Sequence, residues 1–238
     1  MNATFLIATR NAHKVGEIRA ILGGEYRYLT LDDFPSAPKV VEDAGTFAGN
    51  ATKKAVELAK YVATIRNPKL ETLNLFVLAD DSGLEVDALN CAPGVHSARF
   101  AALDSGAGGN SKDSDNNAKL LRLLANVPQE KRTARFRCVI ALTPVSHGTR
   151  NTEHEAASPV CYADELEIVT EIFEGACEGR IEFAPRGQGG FGYDPLFIPN
   201  GFEQSFAELG EDVKNRLSHR SKALAKLKER LNFFKSSD

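Results

Sequence analysis

The sequence predicts an α/β or α+β protein built around a mixed β-sheet. Apolar runs typical of buried strands alternate along the chain with segments whose apolar residues recur at helical spacing. The composition, 42% hydrophobic and 26% charged residues, is that of an ordinary globular domain. With 238 residues, the chain is long enough to bury about 70% of its unfolded surface, so it needs no disulfide or metal to fold.

The N-terminal half is predicted to contain two strands and two helices. Phe5 to Thr9 is a short apolar run typical of a buried strand, and a helix follows from about Lys14 to Leu22. A second helix runs from about Phe47 to Ile65, and Thr46 before it is a suitable N-cap. The continuous apolar run Leu75 to Ala79 predicts a strand covered on both faces.

The C-terminal half is predicted to contain strands, helices and glycine-rich loops. In order, these are a loop at Leu103–Ser114, a helix at Asp115–Ala125, strands at Arg135–Leu142 and Leu166–Phe173, a loop at Gly187–Gly192 and a helix at Ser218–Phe233. The polar stretch from Pro144 to Asp164 is expected to be a surface excursion between the two strands. Leu224, Leu227 and Leu231 form the inward stripe of the last helix.

The composition excludes several classes of protein. A formal net charge of −3 argues against a general nucleic-acid-binding protein. No apolar run is long enough for a transmembrane helix, and the N-terminus lacks the basic region of a signal peptide, so we expect a cytoplasmic protein with no membrane partner. The cysteines form no Cys-x-x-Cys pair and are expected to be buried free thiols: Cys91, Cys138, Cys161 and Cys177. His147, His154 and Cys161 fit no common zinc spacing.

The first candidate site lies between the first strand and the first helix. A strand-to-helix turn directs free backbone N–H groups and a helix N-terminus at an anion, and a lysine in the first turn adds a positive charge. The residues concerned are Thr9, Arg10, Asn11, Ala12, His13 and Lys14. This is not a Walker A loop, because the Gly-x-x-x-x-Gly-Lys pattern is absent. An ordinary turn with an exposed lysine is the alternative interpretation.

Two adjacent carboxylates, Asp80 and Asp81, are predicted to end the second buried strand, where open α/β sheets place their sites. Neighbouring strand residues point to opposite sides, so one carboxylate would face the ligand and the other would hold the loop. Such a carboxylate can bind Mg²⁺ or orient an attacking water, and Glu42 could supply a second ligand. The alternatives are a strand-end turn for the pair and helix N-terminal acidity for Glu42.

Two further candidate sites lie nearer the C-terminus. The loop Gly187–Gly192 contains Gly-x-Gly-x-x-Gly, but Pro195 stands where a dinucleotide-binding helix would run. Its glycines allow close approach to a ligand, Phe191 could stack on a base and Asp194 could accept hydrogen bonds from its ring, although a hairpin tip is the alternative. Residues 211–238 hold eight basic and four acidic residues, which indicates either a solvated helix face or an anion-binding surface.

The order of these motifs resembles that of the inosine triphosphate pyrophosphatase family. The resemblance covers about Phe5 to Leu227. It rests on Thr9-x-Asn11-x-x-Lys14, Glu42 with Thr46-Phe47-x-Gly49-Asn50-Ala51, Ala79-Asp80-Asp81-Ser82-Gly83-Leu84, Ala92-Pro93-Gly94-Val95-His96-Ser97-Ala98-Arg99, Gly189-Gly190-Phe191-Gly192-Tyr193-Asp194-Pro195 and Ser218-His219-Arg220. It implies a long mixed sheet with flanking helices, two lobes with an active-site cleft between them, one domain over residues 1–238, and a homodimer.

The resemblance also implies an activity: Mg²⁺-dependent hydrolysis of ITP, dITP and XTP to the monophosphate and pyrophosphate. Asp81 would be the catalytic carboxylate, as general base or metal ligand, and Glu42 a companion metal ligand. The remaining implied site residues would contact the substrate: Thr9 to Lys14 the triphosphate, Ser82 the substrate, Phe191, Gly192, Tyr193 and Asp194 the nucleoside, and Lys214, His219 and Arg220 the base and phosphates. A protonated His219 or Arg220 could donate to the 6-keto oxygen of the base.

The sequence departs from the family pattern in three places. Arg10 stands where a small residue is common, Ala48-Gly49 lacks an acid often found before Asn50, and the stretch Pro144–Asp164 is longer than usual. Two other functions remain open from the sequence. One is a pyrophosphatase of modified pyrimidine triphosphates; the other is a nucleotide-binding regulator without catalysis, which the intact carboxylate set argues against.

Overall fold

The computed structural model of the chain describes residues 3–65, 67–104, 106, 109–146 and 169–235. These residues form a six-stranded mixed sheet in the order β2-β1-β3-β4-β5-β6. The strands are β1 (Thr4–Ile7), β2 (Arg27–Thr30), β3 (Leu75–Val86), β4 (Thr133–Pro144), β5 (Glu171–Ile181) and β6 (Phe197–Pro199). The helices are α1 (Ala12–Leu22), α2 (Phe47–Thr64), α3 (Pro68–Glu71), α4 (Asp113–Leu123), α5 (Phe206–Leu209), α6 (Glu211–Leu217) and α7 (His219–Lys235). The predicted α/β class with a mixed sheet is confirmed.

The sheet changes from parallel to antiparallel at β3. Strand β1 runs parallel to both β2 and β3, but it pairs only with the first four residues of β3, Leu75 to Leu78. Antiparallel pairing with β4 carries β3 on to Val86. The prediction that Asp80 and Asp81 follow the end of a strand is therefore wrong, because both lie inside β3. They nevertheless lie just beyond the end of its parallel partner.

Three hydrophobic clusters hold helices against the described sheet. In one, α2 packs Ala51, Ala55 and Leu58 against β1 and β3. In another, α1 and α7 pack together against β1, β3, β4 and β5, with Leu224 and Leu227 at the centre as predicted. The third joins α4 to the far halves of β3 and β4. The long strands β3 and β4 take part in all three clusters and so connect the two ends of the sheet.

Several predicted boundaries shift for local reasons. Helix α1 begins at Ala12 rather than Lys14, because the Asn11 side chain caps it by accepting from the backbone N–H groups of His13 and Lys14. Thr46 caps α2 through the N–H of Gly49, as predicted. Helix α4 begins at Asp113, two residues earlier than predicted, and β5 begins only at Glu171 but continues to Ile181.

Two other predictions meet the structure only in part. Cys138 and Cys177 are buried free thiols, but Cys91 is exposed, because it lies in the turn after β3 rather than in an element that packs. Cys161, His147 and His154 lie outside the described residues, as does most of the predicted excursion Pro144–Asp164. Among the described residues, no helix is both long enough and apolar enough to span a membrane.

Glycines allow two segments to approach the sheet closely. A Cβ on Gly83 in β3 would overlap the Gly94 carbonyl and the Ser97 hydroxyl, so the turn that follows Pro93 can lie directly on the strand. A Cβ on Gly175 in β5 would overlap the carbonyl of His219, so the first turn of α7 can lie against β5. Further along α7, the ammonium groups of Lys222 and Lys226 donate to the Ala176 and Glu174 carbonyls at 2.8 and 2.7 Å.

Candidate active site

The turn between β1 and α1 places polar side chains at the N-terminus of a helix. Thr9 Oγ1 accepts from the N–H of Asn11 at 3.1 Å, and Asn11 caps the helix. Arg10, Ala12 and His13 are exposed beside it. Lys14 is not the isolated lysine of the alternative interpretation, because its ammonium group forms a short ion pair with Asp80.

Asp80 is the centre of a buried charged cluster. Its carboxylate accepts hydrogen bonds from Arg220 Nε at 2.9 Å, from the Cys138 thiol at 3.1 Å, and from Ser82 Oγ at 3.1 Å. Burial opposes ionisation, yet the positive charges of Arg220 and Lys14 hold the pKa of Asp80 well below its usual range. Asp80 is therefore a permanent anion whose acceptors are taken by the protein.

Glu17 extends this cluster toward the glycine-rich loop. Its carboxylate contacts the Arg220 guanidinium through one oxygen and Lys214 Nζ at 2.9 Å through the other. Lys214 in turn contacts Asp194 at 2.7 Å. Positive and negative groups thus alternate from Lys14 to Asp194. The sequence analysis missed Glu17, although its position one turn after Lys14 on the same helix face was an available signal.

Asp81 faces helix α2 rather than this cluster. Asn50 Nδ2 donates to Asp81 Oδ2 at 3.2 Å, and Lys54 Nζ lies 3.9 Å from Asp81 Oδ1. Burial raises the pKa of Asp81 to about 6, and the nearby Lys54 charge limits the rise. Asn50 stood in one of the motifs without an assigned role, and Lys54 was missed. Their signal was two polar residues, four apart, on the inward stripe of an otherwise apolar helix face.

Glu42 and Asp81 both lie close to the ammonium group of Lys54. Lys54 Nζ lies 3.0 Å from Glu42 Oε1 and also donates to the Asp80 carbonyl at 2.8 Å. The loop that carries Glu42 is tied down from the other side by Arg99, whose guanidinium donates to the Glu42 carbonyl at 3.1 Å. The predicted metal ligands therefore lie on either side of one ammonium group.

This pair of carboxylates is the donor set that fits a magnesium ion. Mg²⁺ in proteins typically uses one or two carboxylates and takes its remaining oxygens from substrate phosphates and water. Within the described part of the chain, no group of three or more His, Cys, Asp and Glu side chains could hold a metal by itself. Asp43, the neighbour of Glu42, is exposed and paired with Lys53 at 2.6 Å, so it does not join the pair.

The glycine-rich loop lies at the other end of the charged cluster. Phe191 stacks on the His13 ring, with centroids 5.3 Å apart and planes 17° apart, and Lys214 Nζ lies 4.1 Å from the Phe191 ring centroid.

Asp194 was predicted to accept from a ligand, but its Oδ2 accepts from the Phe191 N–H at 2.8 Å and from Lys214. Tyr193 was predicted to pack on a nucleoside, but its hydroxyl is buried and donates to the Ser97 carbonyl at 2.9 Å. Both side chains hold the loop because they are buried beneath it.

The two residues of the α7 first turn differ from the prediction, His219 in its charge and Arg220 in its partners. His219 is buried and stacks on Phe136 at 4.9 Å, and burial lowers its pKa well below the ordinary value. The predicted protonated His219 is therefore wrong, since the imidazole is neutral near pH 7. Arg220 stays charged, but its three guanidinium nitrogens are hydrogen-bonded to Asp80, Glu17 and Ser82, so in this structure it binds protein rather than facing a ligand.

A cavity of about 640 Å³ lies along β4, β5 and α7 and shares no lining residue with this site. Arg135 and Arg137 line it, but each is paired with glutamates of the neighbouring strands. The clustered chemistry of the molecule is instead at the end of β1, where the α1 turn, the two carboxylates of β3 and the α7 first turn converge.

The fold and site define a class of protein. It is a mixed α/β protein with a strand-to-helix turn whose Asn11 caps the helix, a buried line of alternating charges, and a carboxylate pair suited to a divalent cation. The chain belongs to the Ham1 family, whose model matches residues 5–230.

Relatives match over nearly their whole length. The chain is 44% identical to the dITP/XTP pyrophosphatase of Desulforamulus reducens over 228 residues, covering 95% of this chain and 94% of the relative. It is also 44% identical to that of Geobacter sulfurreducens over 229 residues, covering 96% of each. Among solved structures, a HAM1 protein from Coxiella burnetii superposes with a TM-score of 0.72 at 33% identity, covering 97% of this chain and 98% of that one.

Proposed function

We propose that this protein hydrolyses the non-canonical purine nucleoside triphosphates ITP, dITP and XTP to the monophosphate and pyrophosphate. The names of its relatives and its family membership support this activity. The structural observation that carries it is the pair of carboxylates Glu42 and Asp81, which lie on either side of the Lys54 ammonium group. A highly charged triphosphate requires both a divalent metal ligand set and an anion loop.

The turn Thr9–Lys14 would bind the triphosphate. The macrodipole of α1 favours the negative charge of the phosphates at this turn. The His13 and Lys14 N–H groups donate to the Asn11 side chain, so side-chain groups of the turn would contact the phosphate oxygens. Arg10 and His13 are exposed at the same turn and add positive or donor groups. Lys14 would exchange part of its contact with Asp80 for a phosphate oxygen.

Glu42 and Asp81 would hold Mg²⁺, which when bound neutralises phosphate charge during attack at the α-phosphorus. Asp81 is also placed to accept a proton from the attacking water at Oδ1, because Asn50 holds Oδ2. Burial raises the pKa of Asp81 to about 6 without a metal, and a bound Mg²⁺ would lower it and keep the carboxylate ionised near neutral pH. Asn50 positions this carboxylate, and Lys54 keeps it near Glu42.

Phe191 would stack on the purine, and the α7 first turn would read its 6-position. A neutral His219 retains one ring N–H donor, which a 6-keto oxygen can satisfy and a 6-amino group cannot. Lys214 and Arg220 would hold the loop and the helix turn through Asp194, Glu17 and Asp80. Ser82, which is hydrogen-bonded to both Asp80 and Arg220, would contact the substrate where β3 and α7 meet.

A nucleotide panel tests the proposal directly. With Mg²⁺, pyrophosphate release from dITP and XTP should far exceed release from dATP. Asp81→Asn should lower turnover by about 10²- to 10⁴-fold, the range of a general base, with the fold intact by circular dichroism. Asp43→Asn is the matched control, because it removes an exposed carboxylate next to Glu42. Removal of Mg²⁺ by EDTA should also stop release.

Other outcomes would identify other functions. Preference for modified pyrimidine triphosphates would replace the substrate class, and tight nucleotide binding without release would indicate a regulator. Near-normal turnover of Asp81→Asn would overturn the role of Asp81. The proposal also includes a cytoplasmic homodimer in which residues 1–238 form one two-lobed unit with the site between the lobes; sedimentation equilibrium tests the dimer.

A further inference from the structure

The backbone of Gly192 is held by one face of helix α4. The Gly192 N–H donates to Asp113 Oδ2 at 2.6 Å, and Asn117 Nδ2 donates to the Gly192 carbonyl at 3.0 Å. Asp113 and Asn117 are four residues apart on the helix, so their side chains lie on the same face. Two side chains of one helix therefore bind both polar backbone groups of a single residue in the glycine-rich loop.

This loop needs such contacts to keep one shape. Gly187, Gly190 and Gly192 adopt positive φ angles of 78°, 74° and 63°. Glycine loses more conformational freedom on ordering than any other residue. A Cβ on Gly192 would meet nothing within 4 Å, so the backbone conformation, not a close contact, explains the glycine at this position. Backbone hydrogen bonds are thus what fixes Gly192.

Asn117 itself supports a dedicated role. It is buried, and its Oδ1 has no hydrogen-bond partner within the described chain. A buried acceptor without a partner is unfavourable, so an apolar side chain would suit this position better if packing were its only purpose. The donor that Asn117 offers to Gly192 explains why an amide is present.

The contact is separate from the charged cluster. Asp194, which is paired with Lys214, holds the loop through the Phe191 N–H. Asp113 and Asn117 hold the next residue, Gly192, from helix α4. The side chain between these two anchors is that of Phe191, the predicted stacking ring. A change at α4 therefore shifts the base-binding loop without touching Glu42 or Asp81.

We infer that Asp113 and Asn117 are positioning residues that fix the Phe191–Asp194 loop through Gly192 and so determine base specificity; this inference rests on the proposed function. Loss of either contact should broaden the choice of base more than it slows phosphate chemistry. A displacement of about 1 Å at a substrate-positioning element can cost about 10²-fold in rate, so a change in preference of about tenfold is measurable and expected.

The test compares four variants with the unaltered chain. Asp113→Ala and Asn117→Ala should each lower the ratio of kcat/KM for dITP to that for dATP by about tenfold, with kcat for dITP reduced less. Asp113→Asn keeps an acceptor for the Gly192 N–H and should restore the ratio. Asp115→Ala is the matched control, because it removes an exposed acid from the same first turn without contacting the loop.

Amide hydrogen exchange gives a readout that does not depend on activity. The 191–194 amides should exchange faster in the two alanine variants above, but not in Asp113→Asn or Asp115→Ala, while peptides from β3 stay protected. Unchanged exchange and an unchanged ratio would overturn the inference, and faster exchange with an unchanged ratio would remove its specificity part. If the unaltered chain hydrolyses no nucleotide, the proposed function fails while exchange still tests the contact. Asp113 is exposed, so its variant is informative even if Asn117→Ala does not fold.

Discussion

His219 shows how burial changes the chemistry of a single residue. The imidazole lies under the first turn of α7, stacked on Phe136, and its Nδ1 has no partner within the described residues. Burial, together with the charges of Arg220 and Lys214, lowers its pKa. Sequence alone placed His219 correctly at a helix N-terminus, but its protonation state depends on what packs around it.

The depressed pKa of His219 predicts a pH dependence of stability. The unfolded chain takes up a proton near the ordinary value of 6.5, whereas the folded chain does so only at lower pH. The contribution of His219 to the free energy of unfolding should therefore fall as the pH drops below about 6.5, by at most about 1.4 kcal/mol per pH unit. Asp81, whose pKa burial raises to about 6, contributes with the opposite sign in the same range, so the part due to His219 is the difference between the unaltered chain and a variant that lacks this imidazole. Urea denaturation between about pH 7.5 and 5.5 measures this slope.

The variant His219→Phe keeps a ring on Phe136 and cannot titrate, so its free energy of unfolding should fall less than that of the unaltered chain as the pH drops over the same range. His96→Gln is the control, because His96 is exposed and its loss removes an imidazole from the surface. Equal slopes for His219→Phe and the unaltered chain would contradict the assignment of a buried neutral imidazole.

At the scale of elements, the site depends on where α7 begins. Strand β5 carries Gly175 opposite the carbonyl of His219, and this close approach brings Arg220 to Asp80. The sequence predicted α7 and its apolar stripe well, because helical spacing is a local signal. It did not predict the contact between Gly175 and α7. The trace of such a contact in the sequence is a glycine inside a strand, which does not identify the distant segment that packs on it.

Gly175→Ala should therefore displace the first turn of α7. The added methyl group would overlap the His219 carbonyl and the Ala223 N–H, both of which are backbone atoms that cannot turn aside. We expect a loss of about 1–3 kcal/mol in the free energy of unfolding, the usual cost of overpacking. Denaturant unfolding measures it.

Gly16→Ala is the matched control for this change. A Cβ on Gly16 meets nothing within 4 Å in the interior of α1, so this substitution should leave stability unchanged or raise it by about 0.5–1 kcal/mol. If Gly175→Ala behaved like Gly16→Ala, the helix and strand would not be in the close contact described.

At the scale of the whole molecule, the buried cluster joins segments that are far apart in sequence. Lys14, Asp80 and Arg220 come from near the start, the middle and near the end of the described chain, yet they meet at one point. The alternating order of charges explains how a chain with a net charge of −3 buries several ions. Buried charges are tolerated when each is paired and hydrogen-bonded.

Asp80→Asn should destabilise the whole molecule. Among the described residues, it leaves buried Arg220 with Glu17 as its one carboxylate partner, and breaking a buried pair typically costs about 3–5 kcal/mol. Chemical denaturation followed by fluorescence measures the loss, with Asp43→Asn as control because exposed ion pairs contribute little. A loss for Asp80→Asn no larger than that for the control would show that the cluster contributes nothing to folding.

The sequence predicted the class of fold and most of the residues that converge at the site, since strands, helices and motif order are encoded locally. It did not predict the roles of Glu17, Asn50 and Lys54, because each acts as a partner of another site residue. It also placed Asp81 at a strand end, since pairing with β4, which extends β3, is a long-range interaction. Asn50 and Lys54 are visible in the sequence as polar side chains in the apolar stripe of α2, but their partners are not.

The two lysines of α7 that reach β5 have a consequence for the molecule among other copies of itself. Within the described residues, strand β6 pairs with just the last three residues of β5, Gly179 to Ile181. Lys222 and Lys226 occupy the Ala176 and Glu174 carbonyls of the remaining edge. An uncovered edge of this kind is a template for strand addition and aggregation, and lysines are a common protection against it. We therefore expect the helix that completes the site also to hinder the addition of a strand from another copy at this edge.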